Sequence, residues 1–193
     1  MVTVTEDRPQ MLAEEFERIA AAAEREGVRM EFIHGRLGVK AVPDGDHDEI
    51  IRWLMEHCMQ HRPDLWLYPE RGLRVEQYRK GHAKPDGALA TKGAFAGQGE
   101  WADPGQVLMV VEVTSYDSDT DKRDREEKPV AYAQTGIPLY LLIDRDTCET
   151  LLYTEPDGGT YASLLRRPFG RTVHLPEPVG FDLDTEPLKD WVR

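Results

Sequence analysis

The run VLMVVEV, residues 107–113, constrains this chain more than any other segment. It is a continuous β-prone stretch with no polar alternation, which predicts a strand buried on both faces at the centre of a sheet. Such a strand needs covering layers on either side, so helices must flank the sheet. The run carries one charge, Glu112, near its C-terminal end. A carboxylate there must be paired, bound to a metal, or held at an exposed strand end.

The rest of the chain supplies the partners this strand requires. IPLYLLID, residues 137–144, reads as a second buried strand, and a polar segment from Ser115 to Glu127 leads into a helix ending at Gly136 between them. Two buried strands joined through a helix make a crossover unit within a mixed sheet. Upstream, a helix is expected from Pro9 to Glu26, ended by Gly27, with Leu12, Phe16, Ile19 and Ala23 at helical spacing. MEFI, a His34-Gly35 turn and RLGVKAV then read as a hairpin. A second helix is expected from about Asp46 to His61, with Asp46 as N-cap, Glu49 completing a capping box, and Ile50, Ile51, Leu54 and Cys58 as its apolar stripe. Short strands follow at LWLY, GLRVEQY and KPDGALAT; CETLLYT and TYASLL form a late hairpin, and a short acidic tail closes the chain. A length of 193 residues without repeats or a low-complexity linker fits one domain, residues 1–193.

Composition narrows the functional classes. No apolar run approaches the ~18 residues of a membrane span, and the acidic MVTVTEDRPQ start has no signal-peptide core, so a cytoplasmic protein without a membrane partner is expected. Cys58 and Cys148 make no CxxC pair, which argues against a zinc ribbon. The net charge of −12 argues against tight, non-specific binding to a polyanion. The charge is uneven, however. Residues 71–92 hold Arg71, Arg74, Arg79, Lys80, Lys84 and Lys92 against Glu76 and Asp86.

Asp86, within KPDGALAT, and Glu112 are the carboxylates best placed for chemistry. Two hard oxygen ligands from adjacent strand ends suit Mg²⁺ or Mn²⁺, with water and phosphate oxygens completing the shell. Such an ion polarises a phosphodiester and acidifies a bound water. A turn aspartate and a strand-end glutamate paired with a lysine explain the same spacing, and both readings stand at this point. His57 and His61 are spaced like ligands but lack the HExxH pattern, so a helix-terminal role explains them. The Gly97-Gln98-Gly99 segment has no following GK[ST], and no GxSxG serine occurs.

The ordered set KPDGALA, VVEVTS and DTDKRDREEKPVAYAQTGIPLYLLID, preceded by MEFIHGRLGV and HDEIIRWL, resembles the Uma-two family of candidate restriction endonucleases within the PD-(D/E)XK nuclease superfamily. The resemblance covers roughly residues 11–185. It implies a restriction-endonuclease-like α/β fold, a central mixed sheet flanked by helices with an N-terminal helix and hairpin. It implies a metal-dependent nuclease acting on nucleic acid, DNA first, with a homodimer as one expected assembly. Asp86 and Glu112 would bind the metal, with the Val113 carbonyl as a further ligand. The resemblance implies a superfamily lysine that positions or deprotonates the attacking water. It is missing two positions after Glu112, where Thr114 stands, and Lys128 on the next helix matches its migrated place, as the third catalytic residue beside Asp86 and Glu112. Lys128 is expected on an exposed helix position with Pro129 beside it, which requires the helix to begin near Lys128 or to kink there. Glu31, His47 and Tyr132 are auxiliary candidates. Arg74 and Lys84 are the expected nucleic-acid contacts of a positive lip. The competing readings are a catalytically degraded module of the same fold used for binding or assembly, and a metal-dependent hydrolase of a small substrate.

Overall fold

The computed structural model describes residues 11–76, 81–116 and 122–192. In chain order the elements are α1 (Ala13–Arg25), β1 (Met30–Ile33), β2 (Arg36–Val39), α2 (Gly45–His61), β3 (Leu65–Pro69), β4 (Leu73–Val75), β5 (Gly81–Ala83), β6 (Gly87–Thr91), β7 (Val107–Val113), α3 (Lys128–Thr135), β8 (Leu139–Asp144), β9 (Glu149–Pro156), β10 (Tyr161–Pro168), β11 (Val173–Leu175) and β12 (Phe181–Leu183). No described helix is long and apolar enough to cross a membrane.

The continuous apolar runs become the centre of a mixed sheet ordered β10-β9-β8-β7-β6-β3. Strands β7 and β8 pair in parallel, and every other pair in this sheet is antiparallel. The parallel pair needs the crossover that α3 supplies. Both faces are covered. Met109, Val111 and Val113 meet Ile50, Leu54 and Cys58 of α2, while Val110 packs with Ala131 and Tyr132 of α3. Glu112 is two residues beyond Val110, so strand alternation turns it toward α3.

A second sheet, ordered β2-β1-β5-β4, stands beside the first. Its β1–β2 hairpin turns on His34 and Gly35, whose φ angles of 52° and 74° give the two positive values a type I′ turn needs. The chain leaves this sheet after β5 and enters the central sheet at β6, so Lys84-Pro85-Asp86 form the corner between them. The corner positions Asp86. Gly87 pairs with Val111 across β6 and β7, and one further step of that register sets Asp86 opposite Glu112.

Two expectations need correction, and a third is met. Helix α2 starts at Gly45 and its N-cap is Asp44, whose side chain accepts from the His47 N–H at 2.9 Å, so Asp46 lies inside the first turn. The acidic tail is not a loose end: β11, β12 and a 3₁₀ segment (Glu186–Trp191) bury Val173, Leu175, Phe181, Leu183 and Leu188 against the α2 side of the sheet. The α-helix after β7 begins at Lys128, as Pro129 requires, with Pro129 in its first turn. A wide π-turn, Arg123–Glu127, runs into α3, and the Lys128 N–H reaches back to the Arg123 carbonyl. The same pattern would pair Pro129 with the Asp124 carbonyl, but Pro129 has no N–H. The Tyr140 hydroxyl donates to that carbonyl instead, at 2.7 Å. Pro9, Arg79 and Lys80 lie outside the described residues.

Candidate active site

Asp86 is held from three directions. Its Oδ2 accepts from the Val113 N–H at 2.8 Å and lies 3.1 Å from His47 Nε2, and its Oδ1 lies 2.6 Å from Lys40 Nζ. His47 reaches it from the first turn of α2, because the Asp44 cap fixes that turn. Lys40 follows β2 directly, and its main-chain N–H bonds the Arg29 carbonyl at 2.8 Å. The buried lysine stem carries the ammonium to the Lys84 carbonyl at 2.5 Å and to within 3.9 Å of Glu112 Oε2. One ammonium therefore lies against both carboxylates.

Glu112 is sealed more deeply. Its Oε1 accepts from Lys128 Nζ at 2.8 Å and from the Tyr132 hydroxyl at 2.7 Å. Its Oε2 is buried and accepts no hydrogen bond. Lys128 also lies 2.9 Å from Asp124 Oδ1 and 3.2 Å from Glu31 Oε1. Glu31 is anchored in turn by the Lys84 N–H at 2.8 Å, with Arg123 3.8 Å from its other oxygen. Gly38 makes that approach possible, since a Cβ there would overlap the Arg123 guanidinium.

The charges respond to these partners. Burial pushes Asp86 up, but the Lys40 ammonium and His47 outweigh it and hold this carboxyl well below the usual range. Burial also raises Glu112; Lys128 and Lys40 counter it, Asp124 and Asp86 add to it, and the group is pushed up to about 8. Glu31 is lowered despite its burial, by Lys128 and Lys40, whereas burial leaves Asp124 raised. Lys128 is desolvated too, yet Asp124, Glu112 and Glu31 keep its ammonium well above the ordinary lysine value.

The site borders a cavity. A cavity of about 240 Å³ is lined by Lys40, His47, Asp86, Asp124, Tyr116 and Arg145, among others, while Glu112 lies behind it. Arg145 forms part of the wall: its guanidinium stands 4.6 Å from the centre of the Tyr116 ring and donates to Asp44 at 2.8 Å. Thr114, which stands where the resemblance would place a lysine, has a structural task here. Its hydroxyl accepts from the Arg145 N–H at 2.8 Å and its carbonyl accepts from Arg145 Nε at 2.7 Å, so it ties β7 to the end of β8.

The structure thus gathers Asp86, Glu112, Lys128, Glu31, His47 and Tyr132 in one cluster with the Val113 backbone. It does not bring Arg74 or Lys84 to the cavity. Lys84 is buried with its ammonium 2.8 Å from Glu24 and 3.1 Å from Glu100, beside the Trp101 ring. Arg74 is 59% exposed, 3.6 Å from Glu17, on another face. Lys128 is not the exposed helix lysine expected, for its side chain is 0% exposed. Sequence reasoning missed Lys40 and Asp124. Asp124 carried a signal, its i, i+4 spacing to Lys128; Lys40 carried none beyond following the hairpin.

Among the described residues, no group of three or more His, Cys, Asp or Glu side chains has a metal-holding arrangement. The pair of Asp86 and Glu112 still fits one divalent ion by another test. A single cationic centre already lies between them, and Glu112 Oε2 is a buried acceptor without a donor.

Comparison with known proteins agrees with this architecture. No curated protein matches the chain. A solved structure, described as a putative nuclease belonging to DUF820 from Anabaena variabilis, superposes with a TM-score of 0.67 at 14% identity, covering 94% of this chain and 98% of that one. At that identity the match speaks to the fold, which is restriction-endonuclease-like. The model of the Uma2 family, described as "putative restriction endonuclease", matches residues 13–186, nearly the whole chain, and the chain belongs to that family.

Proposed function

We propose that this chain is a cytoplasmic, divalent-metal-dependent endonuclease that hydrolyses phosphodiester bonds in DNA. The observation that carries the reading is the convergence of Asp86, from the corner before β6, and Glu112, from the adjacent β7, on one cationic position, Lys40, in the wall of a cavity. Asp86, Glu112 and the Val113 carbonyl would hold Mg²⁺ or Mn²⁺. When bound, the ion polarises the phosphodiester and lowers the pKa of a water. The protein's own residues set the stage for that. Lys128 and Tyr132 both engage Glu112 Oε1, which fixes the carboxylate plane and leaves Oε2 as its free oxygen. Lys128 is therefore a positioning residue, and Glu31 and Asp124 hold its ammonium in place. His47 and the Val113 N–H orient Asp86 in the same manner. A homodimer would supply the second centre needed to cut both strands of a duplex.

One observation favours the second reading, a catalytically degraded binding or assembly module. The cluster is already paired internally, with Lys40 beside the carboxylates where an ion would bind. Cleavage of labelled duplex and single-stranded DNA in Mg²⁺ or Mn²⁺, for wild type and Glu112→Gln, separates the two. Metal-dependent products from wild type, absent in the variant, support the nuclease. No cleavage by wild type together with retained DNA binding supports the module.

A further inference from the structure

Among the described residues, Lys40 is the one cation that contacts Asp86, approaches Glu112 and lines the cavity. Lys128 is fully buried against Glu31, Glu112 and Asp124 and is not among the residues that line the cavity. An ammonium 2.6 Å from Asp86 Oδ1 and 3.9 Å from Glu112 Oε2 leaves no room for a divalent ion with ligands at roughly 2.0–2.2 Å. The two cations are mutually exclusive. Only one of them can leave by a short route, because the Lys40 side chain borders open cavity and carries four rotatable bonds.

We propose that Lys40 is a displaceable resident cation: it neutralises the Asp86–Glu112 pair in the ion-free protein, swings into the cavity when a divalent ion binds, and there becomes a contact for the substrate phosphate. This rests on the metal-dependent reading given above. The displacement has two consequences. Ion binding must compete with a buried ion pair, so the site holds metal more weakly than its carboxylates would alone. Ion binding also releases a positive charge into a cavity whose lining is otherwise rich in acids, among them Asp44, Glu70, Asp86 and Asp124. That charge offsets the repulsion a phosphodiester would meet there.

The test uses the whole chain and Mn²⁺. Free Mn²⁺ is counted by electron paramagnetic resonance for wild type and Lys40→Met, which keeps the stem and removes the charge. The variant should bind Mn²⁺ at least about tenfold more tightly, while binding short duplex DNA in Ca²⁺ more weakly and with a salt slope reduced by about one. Equal or weaker Mn²⁺ binding by a folded variant overturns the proposal. A measurement on wild type stands independently of the variant's folding. Reductive methylation followed by peptide mass spectrometry should modify Lys40 faster at saturating Mn²⁺ than without it, with Lys128 protected in both. Lys40 protection that is unchanged or increased by bound Mn²⁺ overturns the displacement alone. Absence of any Mn²⁺ binding to wild type overturns the metal-dependent reading as well, so the two failures are told apart.

Discussion

Asp86, at the corner just before β6, and Glu112, on its partner strand β7, are both buried, and each touches a lysine, yet burial resolves in opposite directions for them. Asp86 is held low, while Glu112 is pushed up to about 8. The difference lies in how many acids share each cation. Asp86 receives a backbone N–H, His47 and Lys40. Glu112 shares Lys128 with Glu31 and Asp124, so one ammonium is divided among three carboxylates. Burial close to a lysine does not ionise a carboxyl; the local ratio of donors to acceptors decides.

The comparison breaks first at Lys128. Lys128→Ala leaves Glu31, Glu112 and Asp124 buried around a cavity, and removing one member of such a cluster costs roughly 3–5 kcal/mol. A fall of that order in urea unfolding is expected. A fall below about 1 kcal/mol, the range of ordinary surface changes, would mean that the acids are protonated in concert and need no lysine. Loss of activity in Lys128→Ala would thus say little about mechanism without a stability measurement beside it.

A smaller effect separates the two acids. Asp86→Asn removes the charge that Lys40 and His47 face, and should destabilise by about 2–4 kcal/mol. Glu112→Gln replaces a group already biased toward its neutral form and should change stability by under about 1 kcal/mol at neutral pH. Both should abolish metal-dependent cleavage. Equal destabilisation by the two substitutions would remove the asymmetry.

The same asymmetry has a pH signature. Glu112 is raised above its ordinary value of 4.5 to about 8, so the folded state binds its proton more tightly than the unfolded state. The resulting stability is fully present below pH 4.5 and is lost as pH rises through about 8. Asp86 works oppositely, since its contribution is lost as pH falls below its ordinary value of 3.8. Metal-free wild type should therefore lose stability between pH 5 and 8 relative to Glu112→Gln, measured as the difference in urea midpoints. Parallel pH profiles would place the raised proton on another group.

The sequence made the scaffold legible where one local pattern decides the outcome. The central pair β7 and β8 followed from unbroken apolar runs, and the hairpin from a two-residue turn with glycine second. Asp86 and Glu112 were legible because carboxylates inside β-prone segments demand a reason. What escaped was set by tertiary partners. Asp44 displaced Asp46 as N-cap because Arg145, a hundred residues on, braces the Asp44 carboxylate. The 171–192 segment looks acidic and irregular, yet its apolar residues are dispersed at the spacing that fits the α2 side of the sheet. Lys40 escaped because nothing within a lysine's own neighbourhood says that Asp86 and Glu112 will close around it. Burial of a long cation is a property of the assembled site.

The smallest expected effect concerns the positive lip. Of the cations in residues 71–92, Lys84 is neutralised by Glu24 and Glu100, so Lys84→Ala should act on stability through α1 and Trp101. Arg71 packs on the Phe95 ring and Lys92 lies over the Trp66 ring. Arg74 keeps most of its surface, but it stands on the face of Glu14, Glu17 and His82, away from the Asp86 cavity. Each phosphate contact contributes about one unit to the slope of log affinity against log salt. If the substrate path runs only over Lys40 and Arg145, Arg74→Ala should leave that slope unchanged for a short duplex in Ca²⁺, while the Lys40 variant flattens it. A loss of about one unit in Arg74→Ala would instead extend the path across β4 to α1. The nucleic acid would then wrap from the catalytic cavity around the second sheet, and the basic character of residues 71–92 would regain its functional meaning.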